Sequence, residues 1–83
     1  MEMSTSQLWI HPEKRRYYRV WLSRDLFGMI CLHCTWGGLD SARGGEKREV
    51  FSDWQAAREK LELVAKRRRQ HGYNCIQKRH AFP

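Results

Sequence analysis

At 83 residues the chain has room for one domain, and so short a chain buries only about 60 to 65% of its unfolded surface; that argues against a deep catalytic cavity of the usual roughly 300 to 1,000 Å³, and neither catalysis nor a small-molecule substrate is expected. Sixteen Lys and Arg against nine Asp and Glu give a formal charge of +7, an excess whose self-repulsion is offset by an anionic partner such as nucleic acid, an anionic membrane surface or an acidic protein. No apolar run approaches the roughly 18 residues of a membrane span, Met1 to Gln7 carries no apolar signal region, and three cysteines are an odd set that fits a reducing compartment, so a cytoplasmic protein with free thiols and no membrane contact is expected.

In chain order, Met1 to Ser6 reads as a frayed polar tail, and Leu8-Trp9-Ile10 as a short apolar run stopped by Pro12, an edge strand at most. Residues 1–13 are thus a tail with one possible edge strand. Arg16 to Leu22 alternates, with Tyr18, Val20 and Leu22 on one face and Tyr17, Arg19 and Trp21 on the other, which predicts a strand. Asp25-Leu26-Phe27-Gly28 is the connection, Gly28 being free to take a positive φ. Met29 to Trp36 supplies the paired strand, with Ile30, Leu32, Cys34 and Trp36 sharing a face.

Four of the six glycines fall in Gly37 to Gly45, which predicts a mobile or tightly turned loop before a short strand at Arg48 to Phe51. Ser52-Asp53-Trp54-Gln55 has the form of a capping box, Ser52 capping and Gln55 reaching back, so a helix should start there and end at Gly72. Trp54, Ala57, Leu61, Val64, Ala65 and Arg68 form one stripe of the 3.6-residue period, which packs the helix on the sheet. Tyr73 to Gln77 is a last strand and residues 78–83 a basic tail, leaving 14–77 as the folded unit.

Taken in order, Arg16-Tyr17-Tyr18, Asp25-Leu26-Phe27-Gly28, Trp36-Gly37, the glycine-rich loop, Phe51-Ser52, Ala57 and the Gly72-Tyr73 ending resemble the WGR domain, and in particular its short stand-alone bacterial members. The resemblance implies an α+β fold, a curved antiparallel β-sheet of about four to five strands with one α-helix packed across it, and it implies DNA binding. The family takes its name from a Trp-Gly-Arg triplet. Here the triplet is Trp36-Gly37-Gly38, so the arginine that helps contact nucleic acid in DNA-end-binding members is absent unless Arg43 or Lys47 reaches the same volume.

Basic residues gather at Lys14-Arg15-Arg16 with Arg19, at Lys66-Arg67-Arg68-Arg69, and at Lys78-Arg79-His80. Cations in a last helical turn also answer the helix dipole at roughly 0.3 to 1 kcal/mol each, but four in succession exceed that need, so some are expected on phosphates. Periodicity leaves Trp36 open between a core residue and an exposed stacking contact; the resemblance implies the latter. Tyr17 and Trp21 are expected to be core or partly buried. The candidate nucleic-acid-binding residues are therefore Arg15, Arg16, Trp36, Arg43, Lys47, Lys66, Arg67 and Arg69.

Cys31-Leu32-His33-Cys34 invites a zinc site, yet residues three apart on a strand face opposite ways, so no metal or cofactor is expected and the four histidines read as surface residues. No triad, carboxylate pair or phosphate-binding glycine motif supports catalysis. The expectation is a non-enzymatic module binding double-stranded DNA in an accessory or regulatory role. The alternative is a protein-interaction module for an acidic partner.

Overall fold

The computed structural model describes residues 4–81, in the order β1 (Ser4–His11), β2 (Arg16–Arg24), β3 (Ile30–Gly38), β4 (Gly44–Phe51), α1 (Trp54–Gln70) and β5 (Asn74–Ala81). Five antiparallel strands form one open sheet in the order β4-β3-β2-β1-β5, with the single helix packed on one face. The architecture is α+β, as the alternation and the helical stripe predict.

The hairpin β2–β3 is the frame. Alternation sends Val20 and Leu22 of β2 and Ile30, Leu32 and Cys34 of β3 to one face, where they meet Ala57 and Leu61 of the helix. Tyr18, Phe51, Trp54 and Val64 close the margins of this core. Its turn is built by Asp25, whose carboxylate accepts from the Phe27 and Met29 amides at 2.9 Å each, and Gly28 takes φ +81° as its position predicts.

The remaining elements differ from the sequence reading in four ways. First, β1 is no edge strand; it spans Ser4–His11 and lies between β2 and β5. Its N-terminal half looks polar because Thr5 and Gln7 are buried beside the core, opposite Leu22 and Val20, and Gln7 Oε1 accepts from the buried Trp9 indole at 3.0 Å. Second, β4 begins at Gly44 and β3 runs on to Gly38, so the glycines are mostly strand residues and only 39–43 turn. A Cβ on Gly44 would stand 2.2 Å from the Trp36 carbonyl oxygen, and one on Gly37 2.7 Å from that of Arg43. Glycine is needed there for close strand approach, not for positive φ.

Third, Asp53 rather than Ser52 caps the helix: its Oδ1 accepts from the Ala56 amide at 2.9 Å, in extended backbone at φ −144°. The carboxylate displaces the hydroxyl by one position in the same role. Fourth, β5 continues through Lys78 and Arg79 to Ala81, because β1 offers it a partner along its whole length, with a bulge between Leu8 and Trp9. Met1 to Met3 of the expected N-terminal tail, and Phe82 and Pro83 of the C-terminal one, lie outside the described residues.

The histidines also depart from a uniform surface placement. His11 is buried, its Nδ1 accepting from the Lys14 amide at 3.1 Å and its ring meeting Tyr73 edge-on at 5.3 Å. His33 is half-buried. Cys31 and Cys34 point to opposite faces of β3, opposite Ser23 and Val20 respectively, and all three cysteines are free thiols.

Candidate nucleic-acid interface

One end of the β2–β3 hairpin holds an open cleft of about 910 Å³. The β1–β2 turn brings Lys14, Arg15 and Arg16 to it; the β3–β4 hairpin brings Trp36, Arg43 and Lys47; the last helical turn and the residue after Gly72 bring Arg68 and Tyr73. Six cationic side chains line it against Glu13 and Asp40. Fields from so many like charges add in one concavity and favour an anion there.

The cations are not equivalent. Arg15 forms a two-pronged ion pair with Asp40, Nε on one carboxylate oxygen and a terminal nitrogen on the other. That bond raises the Arg15 guanidinium above its ordinary value and lowers the Asp40 carboxyl below its own, so both stay charged and cancel. Lys47 Nζ lies 3.4 Å from Glu49, which also meets Lys60 at 3.7 Å. Lys14, Arg16 and Arg43 have no acidic partner among the described residues and present their full charge.

At the back of the cleft is an aromatic ladder. Trp36 stacks on Tyr18, with centroids 5.9 Å apart and planes within 11°, and the Arg68 guanidinium lies 4.3 Å from the Tyr18 ring and 5.1 Å from Tyr73. The indole rests against Gly45, where a Cβ would come within 2.7 Å of it. It is still 36% exposed, because β3 carries it past the end of the helix. Arg68 Nε is buried without a hydrogen-bond partner among the described residues. Burial first, and the Cys34 thiol second, push the Tyr18 hydroxyl well above its ordinary value, so it remains a neutral donor.

Of the eight residues expected to bind nucleic acid, Arg15, Arg16, Trp36, Arg43 and Lys47 therefore share this cleft. Lys66, Arg67 and Arg69 do not. Lys66 and Arg69 line a groove on the β1–β5 side of the helix with Lys78, where Arg69 lies 5.9 Å from the Trp9 ring, and Arg67 lines the β4 flank with Lys60. The four consecutive cations surround the helix, and the one aimed into the cleft is Arg68, which the sequence reading assigned to the packing stripe. Its signal was there: a cation in the last position of an apolar stripe must leave the core at the sheet margin, and Arg stacks on aromatic faces.

The family model of the WGR domain matches residues 1–80. The chain belongs to the WGR domain family. No curated protein and no solved structure matches it. The WGR domain is a nucleic-acid-binding type of module, and the stretch that names it, here Trp36-Gly37-Gly38, lies on the cleft lining. Gly38 stands at the third position of the triplet, opposite Arg16 across the β2–β3 ladder. Arg43 and Lys47 line the same cleft, so positive charge is present around the position that lacks the family arginine. No helix among the described residues is long and apolar enough to cross a membrane.

Proposed function

We propose that this WGR domain is a non-enzymatic, cytoplasmic module that binds double-stranded DNA in an accessory or regulatory role, of the kind its resemblance to short stand-alone bacterial members implies. The observation that carries this reading is the convergence of Lys14, Arg16, Arg43, Lys47 and Arg68 with the exposed Trp36 in a single concavity. Lys and Arg hold phosphates, and the Trp36 edge meets a sugar or a terminal base pair. Phosphate contacts fix position and carry no sequence information, and the cleft offers few groups for reading base edges, so binding is largely independent of sequence.

The test is a salt titration with a short blunt duplex. Log affinity should fall with log salt at a slope of about −3 to −5, near −0.9 for each phosphate contacted. Trp36→Ala, with the fold intact by its amide spectrum, should weaken binding by about five- to 150-fold, the range of one lost aromatic contact of roughly 1 to 3 kcal/mol. A flat salt response rejects electrostatic docking. Unchanged duplex affinity in the Trp36 variant, together with a co-purifying acidic protein that this variant loses, replaces the reading with a protein-interaction module.

A further inference from the structure

Among the described residues no element covers the face of the sheet opposite the helix, and its side chains are not those of a passive surface. Across its middle runs one row, taken strand by strand: Arg48 of β4, His33 of β3, Trp21 of β2, Ser6 of β1 and Arg79 of β5. Trp21 and His33 stack with centroids 4.9 Å apart and planes within 7°. Ser23 Oγ holds the imidazole in place, 3.0 Å from His33 Nε2. Burial first, then Arg48, lower the basicity of His33, so the stacked pair is a neutral platform at neutral pH.

What stands beside that platform matters as much. On the side away from His33, Trp21 stands across the ladder from Ser6, which carries no ring, and the next residue along the row is Arg79. Two strand spacings, about 10 Å, separate Trp21 from Arg79, leaving room for a planar base on the free indole face. Arg19 lies in the adjoining row on the same face, and Arg19, Arg48 and Arg79 are exposed and have no acidic partner among the described residues. Glu46, opposite Thr35, is the acid in these rows. An aromatic platform bracketed by cations on an open sheet is the arrangement that takes unpaired bases: rings stack on bases of any identity while cations track the backbone. Within a duplex the bases are already stacked on one another and only a terminal pair has a free face, so the platform favours unpaired bases.

We infer that the open face of the sheet is a second nucleic-acid site, specific for single strands, in which a base stacks on Trp21 and the backbone is held by Arg19, Arg48 and Arg79. Tyr17 connects the two surfaces: it sits on the open face next to Arg19 in β2 and also lines the cationic cleft. A strand leaving a duplex in the cleft passes over Tyr17 onto the platform. Charge complementarity decides the occupant, since three exposed arginines around a stacked aromatic pair disfavour a basic or purely apolar partner.

The experiment measures binding of a fluorescent twelve-nucleotide oligothymidylate at 50 mM salt by anisotropy, with the blunt duplex as competitor. The intact protein should bind it, with a log-log salt slope near −0.7 for each phosphate contacted. Saturating duplex should leave it bound. Trp21→Ala should weaken it by at least fivefold, consistent with one lost stacked base, and leave duplex affinity within twofold. Because Trp21 is half-buried, a second variant changes only exposed residues: Arg48→Glu with Arg79→Glu should weaken the oligonucleotide at least tenfold and flatten its salt slope. The inference is overturned if the intact protein does not bind the oligonucleotide, if both variants bind it unchanged, or if duplex displaces it stoichiometrically. Failure of the duplex site leaves the oligonucleotide result standing, and the converse holds too.

Discussion

Replacing Gly38 by Arg restores the triplet after which the family is named, and the structure says what that should do. Gly38 does not need positive φ, and a Cβ there would stand 3.2 Å from Ser41 Cβ, a contact that an exposed turn residue relieves by a few tenths of an ångström. Position 38 shares a strand face with Trp36 two residues away, so the new guanidinium enters the cationic cleft beside Arg16. In the free protein the two arginines repel by about 0.5 kcal/mol once screened over the Debye length of about 14 Å at 50 mM salt. A charged hydrogen bond to a phosphate contributes about 1.5 to 3 kcal/mol; against repulsion and the lost rotamer freedom of Arg, a net gain on the order of 1 kcal/mol remains. The expected result is duplex affinity about fivefold tighter at 50 mM salt. The log-log slope should steepen by about 0.9, so that between 50 and 200 mM salt the variant loses about 3.5-fold more affinity than the parent. Anisotropy titrations at three salt concentrations read both quantities. If the variant folds normally yet shows the parental slope and affinity, residue 38 does not face phosphates, and the cleft is not where the duplex lies.

Further substitutions address the supports of that cleft. Arg68→Leu keeps an apolar stem but removes the guanidinium from Tyr18 and Tyr73; two cation–π contacts of about 0.5 to 1 kcal/mol each should lower the melting temperature by several degrees and weaken the duplex, and an unchanged melt would show that the stacking contributes nothing. Asp53→Ala removes the helix cap and should cost about 1 kcal/mol, seen as a fall of about 4 to 8 °C in Tm, whereas Ser52→Ala should change it little; the reverse order would restore Ser52 as the cap. His33 is held less basic in the fold than its ordinary value of 6.5, chiefly by burial and then by Arg48. The unfolded chain therefore binds the proton more readily, and stability should drop as pH falls through 6.5. Urea midpoints at pH 7.5 and 5.5 should differ more for the parent than for His33→Gln, and equal differences would exclude His33 as the source.

The parts of the fold that the sequence revealed are those fixed by neighbours close in the chain. Alternation in 16–22 and 29–36 sorts side chains to the faces they occupy, and the stripe from Trp54 to Ala65 finds the helix face that packs on them. The misplacement of β1 has its cause in long-range pairing. Whether Ser4–His11 is an edge or an interior strand depends on β5, about seventy residues later, and no local pattern encodes that partner. Thr5 and Gln7 make the strand look like a polar tail although both are buried, and the Gln7 amide is satisfied by a hydrogen bond from Trp9 within the strand itself. The glycines at 37, 44 and 45 mislead for a different reason. Glycine in a sequence marks a turn and a close approach alike, and only the contact across the ladder distinguishes them.

Trp36 shows how far the candidate site could be read and where reading stops. Parity along β3 puts it on the core face with Ile30, Leu32 and Cys34, and parity alone would bury it. Exposure is decided by a length that parity does not contain. A 17-residue helix is about 25 Å long, and it lies across the strands, so its cover ends near Cys34 while β3 runs on to Gly38. Beyond that margin, a core-facing side chain has sheet beneath it and nothing above. Trp36 then stacks sideways on Tyr18 and leaves an edge for a ligand. The same margin explains Arg68. As the last member of the helical stripe it reaches the point where the core gives out, laying its charge over Tyr18 at the cleft. Both residues follow core periodicity in the sequence and functional geometry in the fold, and the transition between the two falls where the helix stops covering the sheet.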